Sequence, residues 1–271
     1  MGWNLKDECV RTDGMEMQYV SFGSGKKKAV LLPGLSDGLA SVKGKAFVLA
    51  APYRKYFSEF TIYMFSRRNN LAKGISIQDM ADDQAAAMKE LGIEKAYVLG
   101  VSEGGMIAQA LAASYPQMVE KLVIAVSAPY ANETAQQRVR HWLKLTEENN
   151  HKELMIDTAE NSYSEKYLKA FRMTYPLLGK VGKPKDYLRF QANAEAILSF
   201  DGRTDAEKIA CPVLIIGGKD DRIVTAEASF EMKELIPSSH LYMYEGLGHG
   251  LYEEASDFND RVFSFFSAEN K

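Results

Sequence analysis

The chain has 271 residues, 46% hydrophobic and 25% charged, with a formal net charge of −3 and a pI near 5.9. That length accommodates one large core, or one core plus an insert. The mild acidity, with no basic run longer than Lys26-Lys27-Lys28, argues against a nucleic-acid partner.

Taken in chain order, the opening Met1-Gly2-Trp3-Asn4-Leu5-Lys6-Asp7-Glu8 has no apolar h-region, so no secretory signal is expected. Lys6 argues against myristoylation at Gly2. Met15–Phe22 reads as a strand, and Gly23-Ser24-Gly25 turns the chain into a second strand at residues 29–32, an expected hairpin. The loop Pro33-Gly34-Leu35-Ser36-Asp37-Gly38 follows, then a mixed segment ending in a strand at residues 60–65. Ser76 opens a helix, with Ser76 and Asp79 spaced as a capping box and Ile75 and Met80 as a hydrophobic staple. Ile77, Met80, Ala81, Met88 and Leu91 form its apolar face, and Gly92 stops it.

Further strands are expected at residues 96–100, 122–126, 213–217 and 241–244, with an Ala-rich helix over 106–115. Strands alternating with helices imply an α/β protein whose mostly parallel sheet is covered on both faces. Between residues 127 and 208 the alternation stops. One amphipathic segment there carries Ala135, Val139, Trp142 and Leu143, and another Tyr167, Leu168 and Phe171. A third, opening near Pro184, carries Tyr187, Phe190, Ala194, Ile197 and Leu198. The division expected is a core of residues 1–128 and 206–271 with a helical insert, 129–205, over the sheet's C-terminal edge. No apolar run approaches the ~18 residues of a membrane span. Cys9 and Cys211 are too few for a metal cluster or disulfide framework, and free thiols fit a reducing cytoplasm.

Chemistry is carried by Gly100-Val101-Ser102-Glu103-Gly104, a G-x-S-x-G between an apolar strand and a helix. That is the setting of a nucleophile elbow, where a strained turn lifts a serine hydroxyl to the end of a sheet. Such a hydroxyl is a weak nucleophile until a base takes its proton and a third group orients the base. Of the four histidines, His141 and His151 fall in the insert and His240 opens a strand. His249, in Gly246-Leu247-Gly248-His249-Gly250, follows the last strand and so reaches the same sheet edge as the elbow. Two acids, Asp220 and Asp221, stand at that edge after the strand at 213–217. Glu103 fits the N-terminal end of a helix dipole, although contact with substrate is also open to it.

With these segments the chain resembles the α/β-hydrolase superfamily with a helical cap, over essentially its full length. The matching stretches are GVSEGG, GGKDDRIVT and GLGHG, in the chain order Ser, Asp, His. The resemblance implies Ser102 as nucleophile and His249 as base. The family's G-x-x-D-x-x-V pattern selects Asp221 as the orienting acid, with Asp220 as runner-up. It implies an oxyanion hole made by the backbone N–H groups of Leu35 and Glu103. Pro33 replaces the family's common histidine before Gly34. Ser66-Arg67-Arg68-Asn69-Asn70 departs from its Arg-Gly-x-Gly loop, and either one arginine braces the elbow or the turn is a solvated charged one. Met155, Tyr163, Tyr167, Phe171, Met173 and Tyr175 of the insert can line an apolar pocket or pack cap against core. The implied activity is hydrolysis of a small carboxylic ester through an acyl-enzyme, without metal or organic cofactor. Thioesters, lactones, amides and C–C bonds suit the same residues, and a ligand-binding sensor with little turnover is the rival outside enzymology. The expected partner is a small acyl substrate, with neither nucleic acid nor membrane.

Overall fold

Val30-Leu31-Leu32, Val98-Leu99 and Leu214-Ile215-Ile216 are apolar at consecutive positions, the pattern of strands covered on both faces. In the computed structural model, which describes residues 3–12 and 14–269, they lie inside one eight-stranded sheet. Its strands are β1 (Lys6–Thr12), β2 (Met15–Phe22), β3 (Lys27–Leu32), β4 (Phe60–Arg68), β5 (Ala96–Val101), β6 (Val119–Ala125), β7 (Val213–Gly218) and β8 (His240–Tyr244). The spatial order is β1-β2-β4-β3-β5-β6-β7-β8. β2 runs antiparallel to β1 and β4, and every other neighbouring pair is parallel.

The expected hairpin between residues 15–22 and 29–32 does not form. β4 lies between β2 and β3, and β3 pairs with β4 and β5 in parallel. An apolar strand such as β3 needs a neighbour on each edge and cover on each face, which a two-stranded ribbon does not provide. The hairpin partner of β2 is β1, from Lys6 opposite Ser21 to Thr12 opposite Met15. β1 gives little sign of itself in the sequence because it is an edge strand whose residues are mostly exposed and polar.

The helices are α1 (Ala46–Ala50), α2 (Ile77–Glu90), α3 (Glu103–Ser114), α4 (Glu133–Glu147), α5 (His151–Ser162), α6 (Glu165–Phe171), α7 (Leu188–Ser199), α8 (Thr225–Leu235), α9 (Leu251–Glu254) and α10 (Phe258–Ser267). The capping box forms: the Asp79 amide donates to Ser76 Oγ and the Ser76 amide to Asp79 Oδ2. Alternate strand residues enter two cores. Val30, Val98 and Ile215 pack with α2, α3 and α8, whereas Leu31, Leu99 and Ile216 pack with α10 and the segment around Phe57.

α4 to α7 all fall between β6 and β7. The chain leaves and returns at one point, where Tyr130 pairs with Asp201 and the Gly202 amide donates to Pro129 O at 2.7 Å. α5 escaped the sequence reading because its inward face is a thin set, His151, Leu154, Ala159 and Ser162, without an apolar stripe. α7 opens at Leu188, four residues beyond Pro184. No helix among the described residues is long and apolar enough to cross a membrane.

Candidate active site

β5 ends in Gly100-Val101 and α3 begins at Glu103, so Ser102 alone makes the turn, with φ 54° and ψ −119°. Small neighbours make that possible. A Cβ on Gly100 would lie 2.3 Å from the Gly104 carbonyl oxygen, and one on Gly104 would lie 2.0 Å from Leu32 O at the end of β3. The Ser102 amide donates to Ala125 O of β6 at 2.9 Å, and Ser127 Oγ donates to Ser102 O at 2.8 Å. The serine is therefore held from the side of β6, while Gly104 lets α3 start close against the end of β3.

His249 follows β8 and precedes α9, and its side chain is 9% exposed. Its Nε2 lies 2.9 Å from Ser102 Oγ and its Nδ1 lies 2.8 Å from Asp221 Oδ2. The other carboxylate oxygen, Asp221 Oδ1, accepts from the Ile223 amide at 2.8 Å and the Val224 amide at 3.0 Å. Burial by itself would raise the Asp221 carboxyl, but the His249 ring and the two amides outweigh it and hold it below the ordinary carboxylate range. Asp220 is exposed, and its amide donates to Leu247 O, bracing the histidine loop. His141 and His240 are exposed, and His151 is buried against Val181 O; none joins this line.

Gly34 brings the loop after β3 against the elbow: a Cβ there would sit 3.2 Å from Ser102 Cβ. Leu35 opens the short 3-10 turn Leu35–Gly38. Arg67, only 1% exposed, braces this region rather than facing solvent. Its Nη2 donates to Pro33 O at 2.5 Å and to Glu103 Oε2 at 3.1 Å, so one guanidinium joins the loop to the elbow. Burial pushes the Glu103 carboxyl up, and Arg67 pulls it back only partly. Asp37, inside the turn, accepts from Ser66 Oγ, the Arg67 amide and Arg189 of α7. The sequence reading missed Asp37 and Arg189. Asp37 looks like any turn residue, and Arg189 like any charged residue of an amphipathic helix.

Beside the loop is a cavity of about 590 Å³ whose lining includes Gly34, Val101, Leu49, Tyr53, Tyr252 and Glu253. Burial pushes the Tyr53 hydroxyl up to about 12. The junction of α5 and α6 is fastened across the histidine loop. The Gly250 amide donates to Ser162 O at 2.7 Å, Tyr163 Oη to Glu253 at 2.6 Å, and the Ser164 amide to Glu254 at 2.9 Å. Tyr167 and Phe171 line a neighbouring hollow with Leu247 and Glu253. Met173, 83% exposed, does not pack inward.

A mostly parallel sheet with a strained serine after an inner strand, and a histidine and an acid on later loops, defines an α/β hydrolase fold. The chain belongs to that family: the model described as alpha/beta hydrolase fold matches residues 30–256. Among curated relatives, the chain is 26% identical over 264 residues to the "Putative carbamate hydrolase RutD" of Caulobacter sp. (strain K31), covering 87% of this chain and 90% of the relative. It is 28% identical over 205 residues to the 2-hydroxy-6-oxononadienedioate/2-hydroxy-6-oxononatrienedioate hydrolase of Pseudomonas sp, covering 70% of each. Among solved structures, the enol-lactonase from Burkholderia xenovorans LB400 superposes with a TM-score of 0.79 at 21% identity, over 96% of this chain and 100% of that one. At that identity the likeness defines the fold alone.

Proposed function

We propose that this protein is a serine hydrolase that cleaves a small carboxylic ester through an acyl-enzyme on Ser102. The observation that carries the reading is the unbroken line Ser102 Oγ–His249 Nε2–Nδ1–Asp221 Oδ2, with links of 2.9 and 2.8 Å. As Ser102 Oγ adds to the ester carbonyl carbon, its proton passes to His249 Nε2. Asp221 holds Nδ1–H and the positive charge the ring acquires. The new oxyanion takes hydrogen bonds from the Leu35 and Glu103 amides. On collapse the C–O bond to the alcohol breaks, and Nε2–H protonates the departing alkoxide. Water then gives a proton to Nε2 as its oxygen adds to the acyl carbon, and the second collapse releases the acid and returns the proton to Ser102.

The same residues suit other acyl bonds, and the curated relatives are named for a carbamate and for 2-hydroxy-6-oxononadienedioate and 2-hydroxy-6-oxononatrienedioate substrates. The cavity beside Gly34 is mostly apolar, with Glu253 and no cationic side chain among its lining residues, and so disfavours an anionic acyl group. Residues 129–205 act in this reading as a cap that closes over the substrate. Free Cys9 and Cys211 suit work in a reducing compartment such as the cytoplasm. A fluorophosphonate probe tests the proposal. It is expected to label the protein once, with the adduct mapped to Ser102 and absent in Ser102→Ala; labelling that persists in the variant overturns it.

A further inference from the structure

We infer that Arg189 of α7 is a positioning residue for the oxyanion hole, so that a seated α7 is a condition for fast chemistry at Ser102. The inference rests on the serine-hydrolase reading above. Leu35 carries one of the two oxyanion donors in that reading, and the turn it opens belongs to no strand. The shape of the turn is set at its two ends. In front, Pro33 O is held by Arg67, which is tied to Glu103. Behind, the Asp37 amide donates to Gly34 O at 3.1 Å, so the place of Asp37 fixes the peptides on either side of Leu35.

Asp37 is a carboxylate with a side chain 1% exposed. Ser66 Oγ donates to it at 2.6 Å and the Arg67 amide at 2.9 Å, but its charge is met most directly by Arg189 Nη2 at 2.5 Å. The same guanidinium donates from Nε to Asp37 O at 3.1 Å, from Nη2 to Arg67 O at 2.9 Å, and from Nη1 to Arg68 O. One side chain from α7 thus ties the 3-10 turn to the end of β4. α7 lies directly on the turn, since a Cβ on Gly38 would come within 2.7 Å of Phe190 Cα. Withdrawing Arg189 leaves Asp37 buried without its counter-charge and frees the turn to shift. Misplacement of an oxyanion donor by about 1 Å reduces turnover on the order of 100-fold. The donors engage the transition state more than the ground state, so the loss falls on kcat.

The test compares wild type, Arg189→Met, Arg189→Ala and Arg138→Met on a soluble ester and in the rate of fluorophosphonate labelling. Arg138 pairs with Asp157 inside the insert, so its variant controls for loosening of that region alone. Arg189→Met is expected to lower kcat and the labelling rate by roughly 10- to 100-fold, with KM changed less than about threefold. Added guanidinium is expected to restore part of the rate to Arg189→Ala and none to Arg138→Met. Arg189→Lys, which keeps the charge, serves if the shorter variants fail to fold, and is expected to fall between wild type and Arg189→Met. Labelling of Arg189 variants at the wild-type rate, or a loss confined to KM, overturns the inference while leaving the nucleophile intact. A wild type that no fluorophosphonate labels overturns the serine-hydrolase reading, and this one with it.

Discussion

Ser102 holds φ 54° and ψ −119°, a conformation that only glycine enters freely, and it is not alone in strain. Val126, just after β6, has φ 44°, and Thr225, just after the Asp221 loop, has φ 65°. Both are β-branched, for which positive φ is a genuine outlier. Among the described residues, the other two non-glycine positions with positive φ, Asn4 and Asn149, are asparagines, which tolerate it, so the costly cases gather at the sheet edge that carries the site. Ser102→Ala and Ser102→Gly lose the same hydroxyl, so their difference isolates the backbone. The glycine variant is expected to be the more stable by about 1–3 kcal/mol, the reverse of the helix-interior order, in chemical denaturation. Equal stability would mean that the elbow stores no strain.

Glu103 makes a second residue-scale prediction. Its carboxyl is raised by burial above the ordinary 4.5, so the folded chain binds this proton more tightly than the unfolded one. The stability this contributes is complete below about pH 4.5 and is lost as pH rises through the raised value. In Glu103→Gln that loss is absent. The melting temperature of the variant relative to wild type is therefore expected to climb as pH rises from 4.5, whatever constant offset comes from leaving Arg67 unpaired. A flat difference would contradict it. At this scale, Ser102 and His249 are legible because GVSEGG and GLGHG bind chemistry to a turn. The acids at 220 and 221 are adjacent, and only side-chain direction separates them: one faces solvent and the other His249.

Among the elements, the inner strands and α2 were legible because their signals are local: apolar runs, a capping box and a stop at Gly92. β1 and the pairing of β2 were not, since an exposed polar edge strand differs little from a loop and pairing is a contact at long range. α6 is where element geometry meets proposed specificity. Tyr167 stacks on Tyr163 with centroids 4.5 Å apart, and both it and Phe171 line the hollow beside Leu247. Replacing Tyr167 or Phe171 with Ala is expected to change the ratio of kcat/KM between short and longer acyl esters. Apolar contacts of this kind discriminate by ~1–3 kcal/mol per methylene. Labelling of Ser102 should stay near the wild-type rate. An unchanged ester profile in both variants would make α6 structural packing and remove it from the cap proposal.

Across the whole molecule, the site draws on segments from Pro33 to His249 that share only the C-terminal edge of the sheet. Alternation of strands and helices predicts that edge, and with it the meeting of Ser102 and His249. The contacts fastening α5–α6 and α7 across it were illegible, because Ser162, Ser164 and Arg189 acquire partners only when residues far apart in the chain meet. The central claim is that Ser102, His249 and Asp221 act as one unit through a covalent intermediate. Its most direct test is the rate at which a single acyl group accumulates on Ser102, followed by rapid quench and intact-protein mass after mixing with an activated ester. Wild type and Asp220→Asn are expected to acylate alike, and Asp221→Asn about 10⁴-fold more slowly. No acyl adduct in wild type, or a crippling effect of Asp220→Asn with Asp221→Asn unimpaired, would contradict the account.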